Sequence, residues 1–127
     1  MASSSPGGQT NLGMAPNIGG LLCYVPCCIG LIFSIVVAIV EKQSRFLRFH
    51  AFQSLLLHGA AIVLWIAFVA AQAVAAMIAG PLALLVWVVE LLVSLALLGL
   101  VIFMMVKAYN NEEQPLPVIG DMAKQWA

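Results

Sequence analysis

The chain has 127 residues, of which 64% are hydrophobic and only 8% are charged, with five basic residues balanced by five acidic ones. An ordinary soluble domain carries about 25% charged residues, and a domain of this size leaves roughly a third of its unfolded-chain surface exposed to water. The composition therefore excludes a soluble globular enzyme, a disordered linker and a nucleic-acid-binding module. It predicts an integral membrane protein.

The first seventeen residues are rich in Ser, Gly, Pro and Asn and carry no charged side chain. Such a composition is typical of a flexible tail. No basic stretch precedes the first apolar run, so we expect that run to be retained rather than cleaved as a signal peptide. Residues 18–127 are expected to form a single helical membrane domain.

Three apolar runs follow the tail, at about 18–40, 51–79 and 81–106. A helix needs about 20 apolar residues to cross the hydrocarbon core of a bilayer, and each run is that long. Gly80-Pro81 predicts a tight break between the second and third runs, because Pro is favoured in the first turn of a helix. The sequence thus predicts an all-α membrane protein with three transmembrane helices.

The basic residues occur in the loop after the first run and in the segment after the third run: Lys42, Arg45, Arg48, Lys107 and Lys124. Basic residues favour the cytoplasmic side of a membrane. We therefore expect the first loop and the C-terminus to be cytoplasmic and the N-terminus to lie outside. The expected location is a bacterial cytoplasmic membrane.

The first loop is basic and aromatic, which predicts an interfacial segment. Arg45 and Arg48 are expected to bind lipid phosphates or to extend to the membrane surface, while Phe46 and Phe49 lie in the interface. This segment would anchor the protein in the bilayer and determine its topology.

The C-terminal segment is too short and too polar to cross the membrane. Leu116, Ile119, Ala123 and Trp126 could share one face of a short amphipathic helix on the membrane surface. Trp126 would then be an interfacial anchor. The alternative is a frayed tail.

Polar residues inside the apolar runs are the candidate site. Glu90 lies about nine residues into the third run, where an ionised side chain costs about 2.5–3.5 kcal/mol. It is either a proton carrier, ion ligand or substrate contact, or a protonated or hydrogen-bonded group that holds helices together. His50, Ser54 and His58 recur every four residues and so line one face of the second helix. His50 and His58 could relay protons with Glu90, or one of the two could ligate a haem. The alternative is an interfacial His50 and a hydrogen-bonded core His58.

Small residues also recur at four-residue intervals. They are Gly59, Ala67, Ala71 and Ala75 on the second run, and Gly30 and Ser34 on the first. Such spacing lets helix backbones approach closely in a membrane. We expect these faces to pack the chain's own helices, a second copy, or another membrane-protein subunit.

No recognised catalytic motif is present: the sequence lacks a P-loop, a nucleophile elbow, a zinc-protease motif and a haem-attachment motif. The three cysteines lie together in an apolar run, which is typical of small hydrophobic side chains rather than metal ligands. We therefore expect no catalytic residue, no metal, no cofactor and no nucleic-acid partner.

Three strings are distinctive: APNIGGLLCYVP at 15–26, EKQSRFLRFHAFQS at 41–54 and MMVKAYNNEEQPLPVIGDMAK at 104–124. Together they resemble a family of small bacterial multi-pass membrane proteins. That family is grouped with the Tic-type twenty-kilodalton component of the chloroplast inner-envelope protein-import translocon. The resemblance implies a channel-associated component of a translocon.

Two functions follow from these observations. The first is a non-catalytic accessory, assembly or scaffold subunit of a larger membrane complex, a bioenergetic complex being one option. The alternative is an oligomeric, translocon-like or ion-conducting path lined by Glu90 and the face of His50, Ser54 and His58. The first is favoured because the polar groups are too few to line a continuous pore in one chain.

Overall fold

The computed structural model describes residues 10–26 and 28–127, and every regular element within them is a helix. The helices are α1 (Pro16–Cys23), α2 (Cys28–Val40), α3 (Arg45–Ile78), α4 (Gly80–Tyr109) and α5 (Ile119–Trp126). The all-helical prediction is confirmed. Two of the helices, α3 and α4, are long and apolar enough to cross a membrane.

The two long helices form an antiparallel pair, about 51 and 45 Å long at 1.5 Å per residue. α3 begins before the apolar run because the Ser44 side chain accepts a hydrogen bond from the Leu47 amide (3.1 Å) and caps the helix. Only Ala79 separates α3 from α4, and Pro81 lies in the first turn of α4, as predicted. α4 ends where Asn111 adopts a left-handed conformation (φ 63°).

The predicted span at 18–40 is not one helix. It is divided into α1, with 8 residues, and α2, with 13 residues, and each is too short to cross the hydrocarbon core. Pro26 lies in the break and has no amide hydrogen to donate. At the end of α1, the Tyr24 and Val25 amides donate to carbonyls three residues back, which tightens and ends the helix. Three transmembrane helices are therefore not confirmed.

The chain reverses direction at this break. The hydroxyls of Ser34 and Ser54 both donate to the carbonyl of Cys23, and the Arg48 guanidinium donates to the Ala38 carbonyl (3.3 Å). α2 therefore runs antiparallel to α3, and its first residue lies opposite about position 60 of α3. We call α1 and α2 the re-entrant hairpin, because the pair enters and leaves at the same end of α3.

Residues 10–17 lie at the same end of the molecule as the connection between α2 and α3. The Asn11 amide donates to the Glu41 carboxylate (2.8 Å), and the Asn17 side chain donates to the Tyr109 carbonyl (3.1 Å). The predicted arrangement, with the N-terminal segment and the first loop on opposite sides, is therefore wrong for these residues. Of the expected flexible tail, residues 1–9 lie outside the described residues, and Thr10 is buried.

Nearly all of the packed core lies at this end, which we call the cap: residues 10–15, the re-entrant hairpin, residues 41–57, residues 101–109 of α4, and residues 110–127. Its buried side chains include Tyr24, Leu47, Phe49 and Met104. Beyond it, residues 59–100 form the exposed hairpin, in which only Ala75 is buried. All five basic residues belong to the cap.

The predicted C-terminal helix is present as α5 and packs on α3. A tight turn centred on Val118 (φ 65°), closed by a 2.7 Å hydrogen bond from the Ile119 amide to the Pro117 carbonyl, precedes it. Ala123 is buried, whereas Trp126 is exposed and lies edge-on to Phe52. A short C-terminal helix is therefore confirmed, whereas Leu116, expected on its apolar face, lies before its first residue.

Gly30 and Ser34, predicted to form a packing face, are both buried within the re-entrant hairpin. A Cβ at Gly30 would overlap the carbonyl oxygens of Val25 and Cys23. Gly30→Ala is therefore expected to lower the free energy of unfolding by about 1–3 kcal/mol. Thermal unfolding in detergent measures the change.

Gly59→Ala is the matched control for this substitution. A Cβ at Gly59 would meet nothing within 4 Å, and Ala favours a helix over Gly by about 1 kcal/mol. The two variants should therefore change stability in opposite directions. Equal losses of stability would contradict the close approach at Gly30.

Candidate functional site

A buried hydrogen-bond network in the cap joins Tyr24, His50 and Gln53, which are 1%, 0% and 0% exposed. The Tyr24 hydroxyl keeps its proton, because a phenol ordinarily loses it only near pH ~10. It donates to His50 Nδ1 (3.0 Å) and accepts from Gln53 Nε2 (2.9 Å). These bonds assign His50 as a neutral ring with its proton on Nε2.

The same side chains bind the segment between α4 and α5, residues 110–118, which we call the strap. His50 Nε2 donates to the Glu112 carbonyl (3.0 Å) and Gln53 Nε2 to the Gln114 carbonyl (3.0 Å). The Leu116 amide donates to Gln53 Oε1 (2.9 Å). Both ring nitrogens of His50 and both polar atoms of Gln53 are thus occupied. The network holds the strap against α3.

A second group of polar atoms is bonded where α1 ends. The carbonyl of Cys23 has no partner within its own helix and accepts from the hydroxyls of Ser34 and Ser54. His58 Nδ1 lies 2.8 Å from the carbonyl of Ser54, one turn earlier in the same helix. His50, Ser54 and His58 therefore all have partners within the chain.

Glu41, which the sequence analysis did not single out, is the buried acidic residue of the cap. Its carboxylate accepts hydrogen bonds from the backbone amides of Asn11 (2.8 Å), Gln43 (2.8 Å) and Ser44 (3.0 Å). Hydrogen bonds to a carboxylate are stronger than those to a neutral acceptor and offset the cost of burial. Arg48 donates to the backbone carbonyl of Glu41 (2.7 Å). Glu41 thus ties the N-terminal segment to the start of α3.

The two arginines expected at lipid phosphates have partners within the chain. Arg45 forms an ion pair with Glu113 (3.4 Å) and donates to the carbonyl of Lys124 (3.4 Å). Arg48 donates to the carbonyl of Trp126 (3.3 Å). They therefore bind carbonyls in the last turn of α5, which have no partner within that helix. The Arg45 side chain remains 58% exposed, so binding of lipid phosphate by Arg45 stays a prediction.

The aromatic residues of the same segment differ in their surroundings. Phe49 is fully buried and Phe46 is half-buried, and both rings lie edge-on to the ring of His50, with centroids 5.1 and 4.6 Å away. They pack around the network. Trp126 is 47% exposed, so an interfacial position for Trp126 stays a prediction.

Glu90 lies away from this network. It borders a gap of about 50 Å³ between α3 and α4 that Trp65, Phe68 and Ser94 also line. Positions 65–68 are more than about 20 Å along α3 from His50. His58 lies about 10 Å or more along α3 from the same positions. The chain therefore does not bring Glu90 together with His50 and His58, and the relay of these three residues is not formed within one molecule.

The small residues of α3 do not share one environment. Gly59 and Ala67 line a shallow, wide-open apolar groove formed by the surface of α3 alone, whereas Ala75 is buried and Ala71 is exposed. In a helix of 3.6 residues per turn, positions four apart advance by about 40° at each step. The column of small residues therefore winds around α3, so that one part faces the groove and another faces α4.

The described residues offer little for nucleophilic or metal chemistry. Cys23 is buried, and a thiol in apolar surroundings stays protonated and unreactive. Cys28 is exposed, and Cys27 lies outside the described residues. Within 10–26 and 28–127, no group of three or more His, Cys, Asp or Glu side chains is placed to hold a metal ion. The hydrogen bonds described above hold the strap, α5 and the N-terminal segment against the first turns of α3.

Comparison with known proteins identifies the family. The magnetosome magnetite crystal formation protein family (MamF/MmsF) matches residues 8–123. Two UPF0132 membrane proteins of Methanocaldococcus jannaschii are 42% and 35% identical over 120 and 116 residues, which cover 94% and 91% of this chain and 96% and 72% of theirs. A UPF0132 membrane protein of Archaeoglobus fulgidus is 33% identical over 115 residues, 88% of this chain and 95% of its own. No solved structure matches.

The chain therefore belongs to the magnetosome magnetite crystal formation protein family, and these three relatives are named as membrane proteins. The resemblance to the Tic-type translocon family is wrong, because the family that matches is a different one. The three relatives are archaeal, so a bacterial membrane is not supported either. The string at 41–54 contains His50 and Gln53, and the string at 104–124 contains the strap residues that these two side chains bind. The two strings therefore have a structural role in this fold that does not depend on a translocon.

Proposed function

We propose that this member of the family is a non-catalytic membrane scaffold that binds a transmembrane helix of another membrane protein along α3. The groove beside Gly59 and Ala67 is the observation that carries this proposal. The cap would give the scaffold a rigid base at the cytoplasmic face of the membrane. This function corresponds to an accessory or assembly subunit of a larger complex.

The polar network supports a structural role. Each polar atom of His50 and Gln53 is bonded to the chain itself. A general base or a metal ligand needs a free lone pair directed at a substrate or a metal. The network therefore favours a scaffold over an enzyme.

The groove supports binding of a helix. It runs along the face of α3 that is turned away from the re-entrant hairpin. Its lining residues are Leu55, Leu56, Gly59, Ala60, Val63, Leu64 and Ala67. Apolar area alone does not drive helices together in lipid, so association there depends on close backbone approach. Gly59, Ala60 and Ala67 permit that approach over about two turns. A helix therefore fits this surface better than disordered lipid chains do.

The charge distribution supports the proposed orientation, with the charged end of the molecule toward the cytoplasm. The five basic residues lie at the cap end, whereas the turn between α3 and α4 has no charged residue. Basic residues near the membrane favour the cytoplasmic side. We infer that the charged end of the cap faces the cytoplasm, so that the N-terminal segment from Thr10 and the C-terminus share that side. The family description refers to magnetite crystal formation, and in a cell that forms such crystals the scaffold would act in that process.

A pull-down from native membranes in mild detergent tests the proposal. Ala60→Leu combined with Ala67→Leu fills the groove, and we expect the amount of co-purifying membrane protein to fall about tenfold, which corresponds to ~1.4 kcal/mol. Ala73→Leu is the matched control, because Ala73 is exposed on α3 outside the groove. Equal recovery of the partner with both variants would contradict a helix-binding groove. Recovery of the chain alone, with no partner in any sample, would contradict the scaffold function itself.

A further inference from the structure

The chain occupies unequal areas at the two ends of its membrane-embedded part. At the level of residues 45–57 of α3, four helices lie side by side, because α1 packs against α3 and α4, and α2 packs against α1 and α3. α2 reaches no further than about position 60 of α3. From there to the turn at Ala79, α3 and α4 pack only against each other within the described chain.

The outer face of the re-entrant hairpin is apolar. Ile29, Ile32 and Ile39 of α2 are 64%, 59% and 66% exposed. α2 is about 20 Å long, so this face extends over more than half of a hydrocarbon core about 30 Å thick. Such a surface is stable against acyl chains and unfavourable in water. The re-entrant hairpin is therefore embedded from the charged end of the cap, and most of its length lies in the leaflet nearest that end.

The difference in area follows from helix dimensions. A helix with its side chains is about 10–12 Å in diameter, so two additional helices add roughly 200 Å² to the cross-section. The leaflet nearest the cap must accommodate this extra area, while the opposite leaflet surrounds only α3 and α4. The chain is thus a wedge with its wide end at the cap.

We propose that the wedge binds preferentially to curved bilayer in which the leaflet nearest the cap is the outer, convex one. Bending a bilayer expands the convex leaflet relative to the concave leaflet. A protein that is wider in the convex leaflet fills the added area, so less lipid has to stretch. With the charged end of the cap facing the cytoplasm, as proposed above, the convex leaflet is the cytoplasmic one, and the favoured membrane bulges into the cytoplasm. The inference concerns lipid as the partner and requires no second protein.

The test measures protein density on membrane tubes drawn from giant vesicles of phosphatidylcholine and phosphatidylglycerol. The protein is reconstituted in both orientations, and each orientation is labelled from outside with an impermeant fluorescent maleimide. Gln125→Cys on α5 reports molecules with the cap outside, and Ala79→Cys at the far turn reports molecules with the cap inside. Both positions are exposed. Wild-type protein, with its natural cysteines, gives the background.

Molecules with the cap outside should be enriched about twofold on the tube relative to the flat membrane, which corresponds to ~0.4 kcal/mol. Molecules with the cap inside should be depleted to a similar degree. The two orientations control for each other, because composition and helix number are the same. Equal densities for both orientations, or enrichment of both, would overturn the proposal. Since no partner protein is present, the result is independent of the helix-binding groove.

Discussion

Single cysteines at Ala15, Gln43 and Gln125 are expected to react with a membrane-impermeant maleimide from the same side of the membrane. All three positions are exposed at the cap. Ala15 precedes α1 and Gln43 follows α2, so they flank the re-entrant hairpin. Because that hairpin returns to the side from which it enters, the chain between the two positions does not cross the bilayer.

The expected effect is all-or-none. In sealed vesicles of one orientation, the three variants should be labelled together, and Ala79→Cys at the far turn should be labelled only from the other side. A single span at 18–40 would place Ala15 opposite Gln43. Labelling of those two variants from opposite sides would therefore contradict the re-entrant hairpin. Unmodified protein supplies the background from the natural cysteines.

Gln53→Leu is expected to lower the free energy of unfolding by about 3–5 kcal/mol. The substitution removes the acceptor of the Leu116 amide and the donor to the Gln114 carbonyl. A buried polar group left without a partner costs about 1–3 kcal/mol, and Tyr24 also loses a donor. Reversible unfolding in mixed detergent micelles measures the loss, and faster proteolysis within residues 110–127 should accompany it.

Gln72→Leu provides the matched control, since it is the same substitution on the same helix. Gln72 Oε1 is buried and has no hydrogen-bond partner among the described residues. Removing an unpartnered polar group costs no hydrogen bond, so stability should stay the same or rise. Equal destabilisation by both substitutions would show that the network contributes nothing beyond the volume of a glutamine.

Hydropathy was sufficient to predict α3 and α4, because each contains one continuous apolar stretch that ends at a turn. The break at Gly80-Pro81 was predicted for the same local reason, the preference of Pro for the first turn of a helix. The run at 18–40 passed the same hydropathy test and was misassigned. Pro26 disfavours a continuous helix there, and the packing of Gly30 against the carbonyls of Val25 and Cys23 shows that the chain also reverses.

The candidate site was predicted only in part. The spacing of His50 and Ser54 placed them on one face of a helix. Gln53 lies three residues after His50, so the same helical spacing could have predicted it on that face as well. The hydrogen-bond partners of these side chains could not be predicted, because Tyr24 is 26 residues from His50 and Leu116 is 63 residues from Gln53. No local pattern links positions so far apart.

Composition, apolar run length and charge placement determined by themselves that this is a helical membrane protein with one charged end. These properties depend on the transfer of each segment from water to lipid, which is a sum over neighbouring residues. The tertiary structure decided which segments cross and which return, and it assigned Glu41, His50 and Gln53 to the cap rather than to a reactive site. Those outcomes depend on hydrogen bonds and close contacts between distant residues, because a buried polar group needs a partner wherever the chain can supply one.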